Sequence, residues 1–394
     1  MQQENSMNKK ILYVSSMPLQ YNYSANIRNL ALIDGLCRNG YIVNAITCEP
    51  NRNSGWHDNS MDVSCLHKYY YRGVDIAGDK KADSSSDKKG IVNRFIKKIA
   101  KSFISASVWD ARMVAVRRIH DYSISENYDI MISSSDPKSS HLLARMIYQR
   151  NKGKIGKWIQ YWGDPFAIDI NSIGGCSYEK VRNVEEKILA LADKVVYVSP
   201  FTLDKQKQMF PNERDKFFFY PIPVKEKTVN TQVGYDKQRL KIGYYGAYYQ
   251  KDRDINPLYE AISSTKHALE IYGSSDVILK NKDNIKVHGK VSVSEIEVRE
   301  READVLVCIC NRSGTQIPGK AYHYAMTNKY VLILTDGDYA EEITKYFNTF
   351  NRYIICENKP DSIINALKDL PDDPQYRKPC QAFDTKIIAE DFIS

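Results

Sequence analysis

The stretch SGTQIPGKAYHYAMTNKYVLIL, residues 313–334, decides how the chain is read. It passes from a polar loop through Pro318-Gly319-Lys320 into a short helical run, then into an uncharged strand from Tyr330 to Leu334. That strand is too apolar for a half-exposed edge and reads as buried on both faces, as in a parallel sheet covered by helices. A loop feeding a helix N-terminus beside such a sheet suits an anion, because the first helical amides lack partners and the helix dipole favours negative charge. Pro318 fits the first helical turn, Gly319 lets a ligand approach the backbone, and Lys320 adds a full positive charge. The same residues also fit a capped surface helix with a solvated lysine, so this stretch alone leaves both readings open.

Outward from this stretch the strand-and-helix alternation runs through most of the chain. KKILYVSS (9–16) reads as a first buried strand. A helix follows with Ile27, Leu30, Ile33 and Leu36 on one face and Gly40 at its stop, and YIVNAIT (41–47) is the next strand. Further strands are expected at 128–135, 157–162 and 194–199, with helices at 139–150 and 178–192. After Pro221-Ile222-Pro223 a polar connector (224–240) separates a second series, with strands at 241–246, 268–273, 285–289, 304–310, 330–335 and 352–356. Helices at 257–264, 293–303 and 360–370 fall among them. The pattern predicts an α/β chain with two Rossmann-like domains: 1–222, a linker at 223–240, and 241–379, with a C-terminal helix in 380–394 returning to the first domain. Two such halves are expected to place a cleft between their strand C-terminal ends, where open α/β sheets bind ligands. No G-x-G-x-x-G occurs, which argues against a dinucleotide cofactor.

The 394 residues exceed one comfortable core. No apolar stretch reaches the roughly 18 residues of a spanning helix, and MQQENSMNKK at the start reads as a short frayed leader without a secretion-signal core. Eight cysteines are scattered without a CxxC pair, which predicts reduced cytoplasmic thiols and no zinc site. The net charge is +8, and the segment from Lys88 to Arg118 holds nine basic residues against Asp110, a net equal to that of the whole chain. Within it IVNRFIKKIAKSF (91–103) places Val92, Phe95, Ile96, Ile99 and Phe103 on one helical face and Arg94, Lys97, Lys98 and Lys101 elsewhere. That helix suits either an anionic membrane surface or packing on the first domain. No aromatic platform or recognised fold supports nucleic-acid binding. GDKKADSSSDKKG (78–90) reads as a disordered loop.

Several segments together resemble the GT-B glycosyltransferases, specifically the large family 4 group, and the likeness covers nearly the whole chain. The residues that carry it are IGYYGAYYQKDRDINPL (242–258), LEIYGSSD (269–276), IKVHGKVSVSEI (285–296), ADVLVCIC (303–310) and IPGKAYHYAMTNKYVLIL (317–334), with WIQYWGDPFAIDI (158–170) and YPIPV (220–224) in the first half. The nearest relatives in style build bacterial surface polysaccharides. The resemblance implies transfer of a sugar from a nucleoside-diphosphate donor to a saccharide or lipid-linked saccharide, with retention, no metal and no further cofactor, by a cytoplasmic protein that can lie on the inner membrane face. It assigns Arg253, with Lys251 as its alternative, and Lys320 to the donor diphosphate, where two cations would stabilise the leaving group. Gly246, His288, Gly289, Lys290, Gln316, Ile317, Pro318, Gly319 and His323 complete the implied donor set. The resemblance implies His141 near the transferred sugar, although a lone histidine also suits a core; Asp164, at the end of a strand, is expected to point into the cleft, although an aspartate there also suits a helix N-cap.

The sequence departs from the family at two positions. Glutamates expected about eight positions apart are absent; their places fall at Thr315-Gln316 and His323. Gln316 and His323 keep hydrogen-bonding capacity but supply no carboxylate. Either the donor sugar is unusual or the protein binds without catalysing, and a nucleotide-sugar epimerase of the same fold is a further alternative.

Overall fold

The computed structural model describes residues 9–75, 107–169, 176–225 and 235–394. The leader, the 78–90 loop, the basic stretch 91–103 and most of the connector lie outside the described residues. The chain forms two compact units: Met1–Pro223 with Thr385–Ser394, and Val224–Asp384.

The first unit runs β1 (Lys10–Val14), α1 (Ser24–Arg38), β2 (Ile42–Glu49), β3 (Lys68–Val74), α2 (Met113–Arg117), β4 (Tyr128–Ser134), α3 (Ser139–Arg150), β5 (Ile155–Trp162), α4 (Tyr178–Leu189), β6 (Lys194–Tyr197), α5 (Pro200–Met209) and β7 (Phe217–Phe219). Its sheet has seven parallel strands in the order β3-β2-β1-β4-β5-β6-β7. The second unit runs β8 (Lys241–Tyr245), α6 (Asn256–Ser263), β9 (Ala268–Tyr272), β10 (Ile285–His288), α7 (Val293–Glu302), β11 (Val305–Ile309), α8 (Gly319–Ala325), β12 (Tyr330–Thr335), α9 (Ala340–Asn348), β13 (Ile354–Glu357) and α10 (Pro360–Lys368). Its six strands, also parallel, lie in the order β10-β9-β8-β11-β12-β13.

Both sheets reverse their order once, between β1 and β4 and between β8 and β11. A crevice opens there at the strand C-terminal ends, because successive crossovers leave in opposite directions. The central strands are apolar for the expected reason: β12 is buried along its whole length, and β11 beside it likewise.

α11 (Thr385–Ile393) packs on α1 in the first unit. The sequence pattern gave α1 one apolar face, yet Asn26, Arg28, Asn29, Leu32 and Gly35 are buried along with Leu30, Ile33 and Leu36. Helix α11 covers α1 on a side that periodicity alone leaves to solvent. The segments that lead into and out of the second unit pair with each other, the Val224 amide donating to the Phe383 carbonyl at 2.8 Å.

Candidate active site

In the second unit most of the implied donor residues lie on or just after the loops that follow β8 and β11, the two strands at the order reversal, while His288, Gly289 and Lys290 lie at the end of β10. Gly246 directly follows β8, and its amide donates to the Tyr272 carbonyl at 2.9 Å. The loop after β9 touches it backbone to backbone. Gly273 has φ +151°, and a Cβ there would stand 1.9 Å from the Gly246 carbonyl oxygen, so only glycine fits. Beside Gly246 runs the Lys320 side chain, whose Cε would lie 3.9 Å from a Cβ at Gly246.

The Arg253 amide donates to the Tyr249 carbonyl at 2.7 Å, and its Nε donates to Oδ1 of Asn311 at 2.6 Å. Its neighbour Asp254 does not neutralise it, because that carboxylate pairs with Arg312 at 3.1 Å. Lys251 is exposed. Arg253 and Lys320 both act on Cys308 at the end of β11. Burial pushes that thiol up to about 11, while the two cations pull the other way.

Lys320 is the second residue of α8, with its Nζ 3.5 Å from Glu300 and 5.3 Å from the centre of the Tyr324 ring. Pro318 is not in the first helical turn as its sequence position predicts. It is the N-cap, extended at ψ 125°, and helix begins at Gly319. The other end of α8 is fixed by Arg352, which is fully buried and donates to the carbonyls of Ala325, Thr327 and Lys329 at 3.1, 2.8 and 2.8 Å. Carbonyls left over at a helix C-terminus are thereby satisfied by a cation, as both hydrogen bonding and the helix dipole favour. His323 is half-buried one turn after Lys320, on the same helix face.

Buried polar atoms normally have partners, and those that lack them mark places for a ligand or ordered water. Both amide atoms of Gln316 are buried with no protein partner, as are Oη of Tyr324 and Nε2 of His288. His288 ends β10 with its ring stacked on Tyr272 at 4.1 Å and 9°. Gly289 and Lys290 form the exposed turn beyond it, with open space beside Gly289. Ile317 is buried.

The two residues implied in the first unit part ways. His141 is 0% exposed; its Nδ1 lies 2.8 Å from the Ser133 hydroxyl and its ring stacks on Trp162 at 4.1 Å. Burial, reinforced by the charges of Lys138 and Arg28, holds its pKa well below the usual value. The ring is held neutral and packed against β4 and β5 by the first turn of α3, and its Nε2 is buried with no protein partner. Asp164 lies on the loop after β5 and caps no α4 turn, which Ser177 does. Burial and the Asp136 and Asp169 carboxylates push Asp164 up to about 7 against the pull of Lys138.

Sequence reading missed Asp136, Lys138 and Asp169. Lys138 bridges the two acids at 3.2 and 2.5 Å. Burial opposes its charge, but the carboxylates outweigh burial and raise its pKa. The available signal was their place: SSSDPK directly follows a buried strand of a parallel sheet, as GDPFAID does. Among the described residues no group of three or more His, Cys, Asp or Glu is placed to hold a metal.

No protein-family model and no curated protein matches the chain. Solved structures match over nearly its full length at low identity. A glycosyltransferase from Rickettsia africae ESF-5 has a TM-score of 0.58 at 12% identity, covering 98% of this chain and 97% of its own. TarM gives 0.59 at 8%, covering 98% and 97%. The catalytic domain of starch synthase IV from Arabidopsis thaliana, bound to ADP and acarbose, gives 0.59 at 10%, covering 98% of each chain. The two parallel sheets, each reversing its strand order once, are the two Rossmann-like domains of the GT-B fold that these glycosyltransferases share.

Proposed function

We propose that this protein is a glycosyltransferase that takes a sugar from a nucleoside diphosphate held by the second unit and passes it to a saccharide acceptor. The observation that carries the reading is the Gln316 side chain. Both its amide atoms are buried without a protein partner, beside a crevice where Arg253 and Lys320 stand. A buried amide with no partner costs about 1–3 kcal/mol, and a polyhydroxylated ligand answers it. Arg253 and Lys320 take the diphosphate. In the transfer the bond from the sugar's anomeric carbon to the diphosphate oxygen breaks and its electron pair leaves with the diphosphate. The acceptor hydroxyl oxygen then bonds that carbon and gives up its proton to the departing diphosphate oxygen. The two cations favour this step because leaving-group charge grows as the bond breaks. His288 and the Gly289-Lys290 turn hold the base, and His323 the ribose. Retention at the anomeric carbon and a lipid-linked bacterial surface polysaccharide as acceptor are part of the same proposal.

Titrating a panel of nucleotide sugars against the whole protein, with thermal stability as the readout, tests donor binding, since a ligand of the folded state raises the midpoint by mass action. One nucleotide sugar is expected to raise it clearly above the rest and to release its diphosphate only when a saccharide is added. A panel without any stabilising member, or an isomerised sugar formed without acceptor, overturns the proposal.

A further inference from the structure

The first unit holds a cavity of about 370 Å³ at its own strand-order reversal, on the loops that follow β1 and β4. Its outer wall is aromatic. Tyr23 and Trp56 are 42% and 40% exposed, edge to face with ring centres 5.8 Å apart. Trp109 and Phe166 line it deeper, buried, with centres 5.0 Å apart. Aromatic faces left open to water gain by covering, and the C–H faces of a sugar ring cover them while its hydroxyls stay hydrogen-bonded.

The charges of the cavity choose the ring's substituent. Its two cations are both engaged: Arg112 with the buried Asp75 at 3.3 Å, and Lys138 with Asp136 and Asp169. Asp110 also lines the cavity, accepting from the Ser139 amide and hydroxyl at 2.7 and 2.8 Å. Three carboxylates, Asp110, Asp136 and Asp169, thus line the cavity against two cations, and Arg112 is already paired with Asp75 behind it, so the lining carries a surplus of negative charge. Asp164 behind this lining is pushed up by burial first and by the charges of Asp136 and Asp169 next, against the pull of Lys138. A phosphate or carboxylate entering would meet that surplus, whereas a cation relieves it and also gains from the aromatic faces.

We propose that this cavity is a saccharide subsite that selects a ring bearing a protonated amine. The inference rests on the glycosyl-transfer reading and names the acceptor class for it. Three β-1,4-linked tetrasaccharides that differ only at C2, those of glucosamine, N-acetylglucosamine and glucose, are titrated into the whole protein without nucleotide, at a pH that keeps the amine protonated. The glucosamine tetramer is expected to bind at least tenfold more tightly than the glucose tetramer, and choline alone not to match it. Asp136→Asn, and separately Asp169→Asn, should remove most of that advantage; Trp56→Ala should weaken all three sugars. Equal binding of the three tetramers, no binding of the glucosamine tetramer, choline binding as tightly, or an advantage that survives both Asp substitutions would each overturn the proposal. The wild-type comparison needs no variant to fold. Because no nucleotide is present, failure of donor binding in the second unit leaves this result standing, and failure here leaves donor binding untouched.

Discussion

Glu185 on α4 has no exposed surface, and its two carboxylate oxygens accept from the Phe166 and Ala167 amides at 3.1 and 2.9 Å. It therefore holds the loop that carries Phe166 into the cavity. Burial pushes its pKa up to about 7, with the two amides and Gln206 pulling back. The folded value lies above the unfolded one, so its contribution is fully present below about pH 4.5 and is lost as pH rises through 7, up to about 3 kcal/mol. Asp164 acts in the same direction. His141, held below its unfolded value, acts in the opposite one and costs stability as pH falls below about 6.5. Urea unfolding followed by tryptophan fluorescence reads this directly, because all four tryptophans lie in the first unit. Glu185→Gln should show a smaller loss between pH 5 and 8 than the wild type, with the share of Asp164 remaining; parallel curves for the two proteins would place the titration elsewhere. In the second unit, Arg253→Ala and Lys320→Ala should each lower kcat/KM by about 2–4 kcal/mol of leaving-group stabilisation while the fold persists. Wild-type turnover in both would remove them from the diphosphate. The resemblance assigned these two cations, and for Lys320 its place at a helix start beside a buried strand added a physical reason. The sequence could not separate His141 from a ligand-facing histidine, since a partner such as Ser133 and a stacking ring such as Trp162 come from tertiary packing. Asp136 and Asp169 stand far apart in the chain, and only folding brings them to one lysine.

Two glycines decide how elements meet. A Cβ at Gly35 in α1 would stand 2.0 Å from the Thr385 carbonyl oxygen and 2.8 Å from the Ala389 Cβ. Alanine improves helix propensity by about 1 kcal/mol, but backbone cannot yield to it, so the clash wins. Gly35→Ala should destabilise the first unit by about 1–3 kcal/mol and raise hydrogen exchange in residues 385–394. Unchanged exchange there would mean that α11 tolerates the displacement. Gly273→Ala should part the loops after β8 and β9 and weaken nucleotide binding about tenfold or more, with first-unit tryptophan unfolding unaffected. Binding at wild-type strength would show that this backbone contact is dispensable. The central strands and the helices between them were legible because burial on both faces leaves uninterrupted apolar runs. The outer strands β3 and β7 were not. KYYYRGV mixes tyrosine with charge, and FFF is too short for any period to show. Helices α5 and α9 also went unread: PFTLDKQKQM has no clear apolar face, whereas AEEITKYFN does carry one, with Ile343 and Phe347 buried four residues apart.

At the scale of the molecule, the second unit is one unbroken segment set into the first. Residues 224–384 expressed alone should therefore fold and bind the same nucleotide sugar as the whole protein. A fragment that unfolds, or folds without binding, would show that the donor site needs the first unit. The second strand-and-helix series was legible as a restart of alternation after the Pro221–Pro223 break, whereas the strand order that the two units share was not. That α1 lies beneath α11 was not, because nothing local to either helix encodes a partner more than 340 residues away. The return of α11 has a consequence for synthesis. A ribosome completes β1 to β7, then makes all of the second unit, before the residues that cover α1 emerge. At about 5–20 residues per second that interval lasts roughly 8–30 s, during which the Gly35 side of α1 stays open to water. A chain halted before Thr385 would keep that surface uncovered, a ready hold for chaperones and proteases, while its second unit is already complete.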